Sequence, residues 1–409
     1  MLDFMAIFVR RGKEILSARG KNASKLDPVD QAAILEIGDN DSVEVSIGEQ
    51  SIAPPAALAP AGRAARLWPP KAQSLRLIAL VLVILLAALI SVAVLQRSKT
   101  PTIDQLRRQA GWSDLHSLEV GVFGDVPGLS ECPSSRECTG FDVEIAKLVA
   151  DWLGVRRQDV HFDEVIPENR ERMLGTDFTT REAVDLDLVV AAFSITSQRT
   201  NDDKVVFAGP YLTTQTTVLT RTDHAPVESL PALDQPIAGQ HGSSRPQRIC
   251  APGTSTSSDY LRADVKHAEL VALQKNSECV KRLLDKQVDA VVTDAAVLAG
   301  FQAAHPTQLR LNNIASTTDE HWGIGLGQDF THDPKIEARR QLVLLALNDL
   351  LAQPKTEGWY SAFKKLPATA APTSGNDVQV VADDQQPVPW GVKPVRRWPW
   401  ERSGGGSGR

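Results

Sequence analysis

Hydrophobic and polar positions in this chain change period repeatedly after its first quarter. Leu118, Val120 and Val122 alternate with Glu119 and Gly121, the period of a strand. Phe141, Ile145, Leu148, Val149 and Trp152 then recur at helical spacing, with Asp142 at the start and Gly154 at the stop. Val160–Val165 reads as a second strand and Leu186–Ala192 as a buried one. Strand, helix, strand, helix, strand predicts an α/β fold with a parallel sheet. The second half repeats the order: a strand over Arg248–Ala251 leading into Gly253–Ser257, a helix over Cys279–Lys286, and a strand over Asp289–Thr293 ending at Asp294. Asp333 followed by Pro334 opens a helix whose stripe is Leu342, Leu345 and Leu350. Gly358–Phe363 closes the folded part.

Three stretches break this grammar. Leu77–Leu95 is uncharged and almost wholly aliphatic, close to the ~20 residues that span a hydrocarbon core. A retained signal-anchor is the first reading. A cleaved signal peptide, with Ser91 and Ala93 as small residues near the cut, is the alternative. The second stretch, 51–76, is rich in Ala and Pro and reads as a linker after a small cytoplasmic segment, 1–50. The third, 367–409, is polar, Pro-rich and aperiodic, and is expected to be disordered. It carries Trp390, Trp398 and Trp400 among Lys393, Arg396, Arg397 and Arg402, a mixture suited to a membrane interface or a partner surface. Residues 96–116 read as a stalk.

Arg63, Arg66, Lys71 and Arg76 before the span balance Arg97, Lys99, Arg107 and Arg108 after it, so basic residues do not orient it. The cysteines do. All four, Cys132, Cys138, Cys250 and Cys279, follow the span, which suggests disulfides and an oxidising compartment. Of the three possible pairings, Cys132–Cys138 with Cys250–Cys279 is the most economical. No zinc-ligand spacing and no cofactor motif is present, and the eight His are scattered. The net charge of -6, without a long basic run, argues against nucleic acid as a partner.

The candidate chemistry lies at predicted strand ends. After the run to Ala192 come Ser194, Thr196 and Arg199, a guanidinium fork and hydroxyls suited to a carboxylate. Gly253–Ser257 places Thr254, Ser255 and Thr256 at a probable helix start, a second anion-friendly position. Asp294, at another strand end, suits an ammonium. A carboxylate clamp with an ammonium acceptor describes an α-amino acid, bound where open α/β sheets take ligands.

In this order the motifs resemble the extracellular solute-binding proteins of family 3, polar amino-acid receptors of ATP-driven importers. The stretches that carry the resemblance are GFDVEIAKLVADWLG, FSITSQR, VVFAGPY, CAPGTSTS, CVKRLL, VDAVVTD and WGIGL. The resemblance implies a two-lobed, type II periplasmic-binding fold over 117–366, with lobe one at 117–213 and 323–363 and lobe two at 214–322. It implies that Arg199, supported by Ser194 and by Ser255 with its neighbours, grips the α-carboxylate. Asp294 and the carbonyl of Ala192 would take the ammonium. Arg170 would reach the ligand side chain, which points to glutamate, aspartate, glutamine or asparagine, and Phe123 or Tyr211 would flank its aliphatic part. Two departures stand out: alanines precede Phe193 where many members carry a hydroxyl, and Gly175–Ala183 resembles an insertion.

The expected function is that of a membrane-anchored, extracytoplasmic binding protein feeding a permease. The alternative is a sensor reporting through the span or a partner membrane protein. An enzyme on the same fold is the third reading, and no Ser/His/Asp order, Cys–His pair or metal spacing supports it.

Overall fold

The computed structural model describes residues 70–96, 100–201, 205–238, 243–312, 314, 319–367 and 386–397. The segment 1–50 and most of the linker 51–76 lie outside them. Helix α1 (Pro70–Gln96) begins inside the stretch read as linker. Its segment Ser74–Val92 has mean hydropathy 2.9 over 19 residues, and its large aliphatic side chains are exposed. At about 1.5 Å per residue it is long and apolar enough to cross a membrane.

The part after helix α1 is built on one eleven-stranded sheet. Its strands are β1 (Leu118–Val122), β2 (Val160–Glu164), β3 (Leu174–Asp177), β4 (Ala183–Asp185), β5 (Leu188–Val189), β6 (Phe207–Arg221), β7 (Arg248–Pro252), β8 (Glu269–Leu273), β9 (Ala290–Asp294), β10 (Leu309–Asn312) and β11 (Asp319–Gly325). The order is β8-β7-β9-β6-β11-β5-β1-β2-β3-β4, with β10 beside β6. Helices α2 (Ile103–Ala110), α3 (Phe141–Leu153), α4 (Ser197–Thr200), α5 (Thr256–Asp264), α6 (Asn276–Leu284), α7 (Ala295–Ala304), α8 (Pro334–Leu351) and α9 (Gly358–Phe363) complete it.

Two parallel blocks, β5-β1-β2 and β8-β7-β9, are the cores of two lobes. Antiparallel β6 and β11 join them. Residues Phe207–Gln215 of β6 pair with β11, whereas Thr216–Arg221 pair with β9 and β10. One strand therefore belongs to both lobes, and these two strands form the hinge. Across the hinge the lobes approach closely: a Cβ placed on Gly300 of α7 would lie 1.9 Å from the Pro127 carbonyl oxygen, so only glycine fits there.

Both expected disulfides form, Cys132–Cys138 and Cys250–Cys279. The second fastens α6 to β7. The apparent insertion at Gly175–Ala183 is a hairpin, β3 with β4, which extends the sheet edge beyond β2.

Three expectations need correction. The buried run to Ala192 is strand only over Leu188–Val189; the rest is an irregular turn. The stalk at 96–116 is in large part a piece of lobe one: Leu106, Ala110 and Trp112 are buried, and Arg339 of α8 donates to the Ala110 carbonyl and covers the Trp112 ring. The tail at 367–409 is not disordered throughout. Gln386–Arg397 runs along lobe one as a strap, with Val392 and Val395 packed on the core. Arg397 pairs with Asp349, Lys393 with Glu337, and the Trp390 N–H donates to the Gly209 carbonyl on the hinge strand. Apolar side chains spaced between prolines, too sparse for a periodic signal, are what the sequence reading passed over.

Removing residues 368–409 from the full chain is expected to lower its melting temperature by about 4–8 °C, the shift that roughly 2 kcal/mol produces in a domain of this size. Calorimetric scanning checks this; an unchanged Tm would show that the strap adds nothing to stability.

Candidate functional site

A narrow cleft lies between the lobes, lined by Phe123, Pro167, Arg170, Ala192, Ser194, Arg199, Pro252, Ser255, Thr256, Asn276, Thr293, Asp294 and Val297. Nearly every one stands at or just beyond the carboxyl end of a strand. Phe123 follows β1, Ala192 and Ser194 follow β5, Ser255 and Thr256 follow β7, and Asp294 ends β9. Parallel strands aim their carboxyl ends at one edge, and two such edges face each other across the hinge.

Arg199 is 9% exposed. Its Nη1 donates to the Ser194 carbonyl at 2.8 Å, and its Nη2 reaches across to the Thr254 carbonyl of the other lobe at 3.1 Å. The nearest carboxylate, Glu171, is 3.9 Å away. Arg170 is buried more deeply, at 3% exposed. Its Nη1 donates to the carbonyls of Ala191 and Ala192, and its guanidinium lies over the rings of Phe193 at 4.6 Å and Phe123 at 5.5 Å. Among the described residues no carboxylate pairs with it within 4 Å. Burial, and then the neighbouring Arg199 charge, lower Arg170 to about 9, and burial lowers Arg199. Among the described residues, the Arg170 charge in the cleft is thus left without a paired carboxylate.

Asp294 is the counterpart. It is buried, and one carboxylate oxygen accepts the Trp322 indole N–H at 2.6 Å. Burial raises its pKa to about 8; the Glu320 charge adds to this, while Trp322 and the two guanidiniums oppose it.

The turn after β5 is held from behind. Ala192 has φ 43, a left-handed conformation that is uncommon for alanine. Its N–H donates to Asp142 Oδ2, and the other oxygen of that carboxylate accepts the Tyr211 hydroxyl. Both partners are fully buried, and burial raises Asp142 to about 7.

Of the residues expected at the site, Arg199, Arg170, Ser194, Ala192, Ser255, Thr256, Asp294 and Phe123 come together in the cleft. Tyr211 does not: it is a core residue whose hydroxyl supports the Ala192 turn through Asp142. Thr196 caps α4, its Oγ1 accepting the Arg199 N–H, and so orients Arg199 from outside the cleft. Thr254 takes part through its carbonyl. The Ala192 carbonyl, expected to face an ammonium, instead accepts from Arg170. Sequence reasoning missed Asn276 and Thr293. Thr293 was within reach, as the neighbour of Asp294 on the same strand end; Asn276 sits in a polar stretch with no distinguishing pattern.

Comparison with known proteins places the chain among relatives of this architecture. The family model for bacterial extracellular solute-binding proteins, family 3, matches residues 118–365. The glutamate-binding protein GluB of Corynebacterium glutamicum is 29% identical over 217 residues, covering 52% of this chain and 68% of that protein. The ABC transporter glutamine-binding protein GlnH of Bacillus subtilis is 29% identical over 303 residues, covering 72% of this chain and 96% of that protein. A cyclohexadienyl dehydratase of Pseudomonas aeruginosa is 25% identical over 190 residues, 46% of this chain and 63% of that protein. With the model spanning more than half its length, and with the two-lobed fold and interlobe cleft described above, the chain belongs to the bacterial extracellular solute-binding proteins, family 3.

Proposed function

We propose that the protein binds an α-amino acid with an acidic or amide side chain outside the cytoplasm, stays tethered by helix α1, and delivers the ligand to a membrane permease. The observation that carries this reading is the pair of buried guanidiniums, one without any carboxylate partner, facing a buried Asp294. A charge buried this deeply costs on the order of several kcal/mol unless an opposite charge meets it. An α-carboxylate on Arg199 and a side-chain oxygen on Arg170 would meet both guanidiniums, and a ligand ammonium would draw Asp294 into its charged form. The names of the glutamate- and glutamine-binding relatives agree with that choice. A second carboxylate in the ligand would leave the cleft close to neutral.

The mechanism is lobe closure about β6 and β11. A ligand that touches Arg199 from one lobe and Asp294 from the other favours the closed state by its differential affinity for it. The Ser194 carbonyl, on the same lobe, holds the Arg199 guanidinium in advance, and Thr196 caps the turn that carries it, which reduces the ordering cost at binding. Binding rather than catalysis is the reading favoured, as the glutamate- and glutamine-binding relatives are binding proteins. Incubation with the bound amino acid should return it unchanged; a chromatographically detected product would argue for the dehydratase-like alternative.

Arg199→Ala in the full chain is expected to weaken amino-acid binding by roughly 2–5 kcal/mol, the usual loss when one partner of a buried charge pair is truncated. Its circular dichroism should be unchanged. Titration calorimetry showing wild-type affinity in the variant would sink the assignment.

Asp294 sets the pH dependence. In the empty cleft its neutral form is favoured up to about pH 8. An ammonium requires the carboxylate, so binding below that pH releases a proton. Affinity should therefore rise between about pH 6 and pH 8 and level off above, by up to about tenfold per pH unit. Titrations in buffers of different ionisation enthalpy count the proton directly; affinity independent of pH over this window would refute the role of Asp294.

A further inference from the structure

The strap meets the hinge at one residue. Trp390 is 46% exposed, yet it touches both hinge strands. Its backbone N–H donates to the Gly209 carbonyl of β6 at 2.6 Å, and its ring meets the His321 ring of β11 edge-on, with centroids 5.0 Å apart. His321 stands opposite Thr213 in the register, and its Nδ1 is 3.0 Å from Thr213 Oγ1. Three residues further along β6, Thr216 pairs with Asp294 of lobe two. The Trp390 contact therefore lies beside the point where the shared strand passes from one lobe to the other.

Trp390 is itself fixed to lobe one. Before it, the Gln386 side chain donates to the Leu351 carbonyl at 2.7 Å. After it, the Lys393 N–H donates to Gln341 Oε1 at 3.1 Å, and Val392 and Val395 pack on the core. His321, by contrast, belongs to a strand on which the lobes turn. Its neighbour Trp322 holds Asp294, and strand alternation sends the two side chains to opposite faces. The lobes are together in this structure, since Arg199 reaches Thr254, Lys275 pairs with Glu164 and Ser277 donates to Asp125. The Trp390–His321 pair thus belongs to the closed arrangement.

We propose that the strap is a built-in regulator of lobe closure: Trp390, anchored to lobe one, packs on His321 when the lobes are together and so raises the closed fraction, with or without ligand. The proposal rests on the closure reading of the cleft. An edge-on aromatic pair is strong enough to change a two-state ratio about three- to tenfold. Trp390 does not line the cleft, so its effect is the same for every ligand. Apparent affinity falls with the fraction of the chain able to close, and selectivity stays as it was.

The test uses the detergent-solubilised full chain with spin labels on two exposed positions, Gln158→Cys in lobe one and Ala263→Cys in lobe two. Interlobe distances in the empty chain are measured beside calorimetric titration with each of the twenty amino acids, with melting temperatures as the folding control. Trp390→Ala is expected to lower the closed-to-open ratio of the empty chain about three- to tenfold and to weaken every bound amino acid by that same factor. His321→Ala, which removes the contact from the hinge side, should do likewise. The double variant should lose no more than either single one, and Trp390→Phe should behave as wild type. A lower melting temperature with wild-type distances and affinities would overturn the proposal and leave the strap a brace. A changed ranking of ligands would overturn it too, because that requires contact with the cleft. Should no amino acid bind even the wild type, the amino-acid reading fails separately, and the empty-chain distances still decide. A smaller closed fraction in Trp390→Ala then upholds the regulator, and an unchanged one overturns it.

Discussion

A guanidinium brings two demands into a protein interior: its N–H groups need acceptors, and its charge needs an opposite charge. Arg170 has only the first met, by the carbonyls of Pro167, Ala191 and Ala192 and by aromatic faces. Carbonyl dipoles orient the side chain without cancelling its charge, so the local potential stays positive in a place with little water. The rest of the cleft follows from this. The strained Ala192 turn exists to aim those carbonyls inward, and the Asp142–Tyr211 pair behind it keeps them so. Phe123 and Phe193 exclude water from around the guanidinium while tolerating its charge. Asp294, whose neutral form burial favours, faces them from the other lobe.

Lobe motion and charge chemistry meet in the hinge. Trp322 belongs to β11, and its indole N–H binds Asp294. Its neighbour Glu320, on the same strand, contributes to raising that carboxyl's pKa. Two side chains of a strand shared by the lobes therefore act directly on the Asp294 carboxyl. On the lobe-two side, Lys275 and Ser277 reach partners near Phe123 and Arg170.

The sequence carried the fold well, because parallel strands alternating with capped helices leave strong periodic marks: Asp333 and Pro334 open α8 as expected. It also carried two charged residues of the cleft, since Arg199 and Asp294 follow apolar runs that end abruptly; Arg170, in the polar stretch PENRER, came only from the family resemblance. What it did not carry was orientation. Tyr211 follows the same strand pattern as a cleft residue, yet period-two alternation places it toward the core, where its hydroxyl meets Asp142. Thr196 and Thr254 are indistinguishable in sequence from ligand-binding hydroxyls and serve instead as a cap and a carbonyl. Asn276 was hidden because it stands in a polar stretch without a pattern, and only its tertiary neighbours place it in the cleft. The strap escaped notice for a related reason: Val392 and Val395 pack onto a surface made by residues far away in sequence.

The strap has a mechanical consequence. The Arg396 N–H donates to the Pro101 carbonyl, and Arg396 pairs with Thr102 in a parallel bridge. The point where the chain enters lobe one from the helix side is thereby pinned to the point where the strap ends. Tension applied between these two ends is borne by that bridge and by the Arg397–Asp349 contact, in parallel with the folded domain. A load entering at Pro101 is therefore taken up first by backbone and side-chain contacts within lobe one.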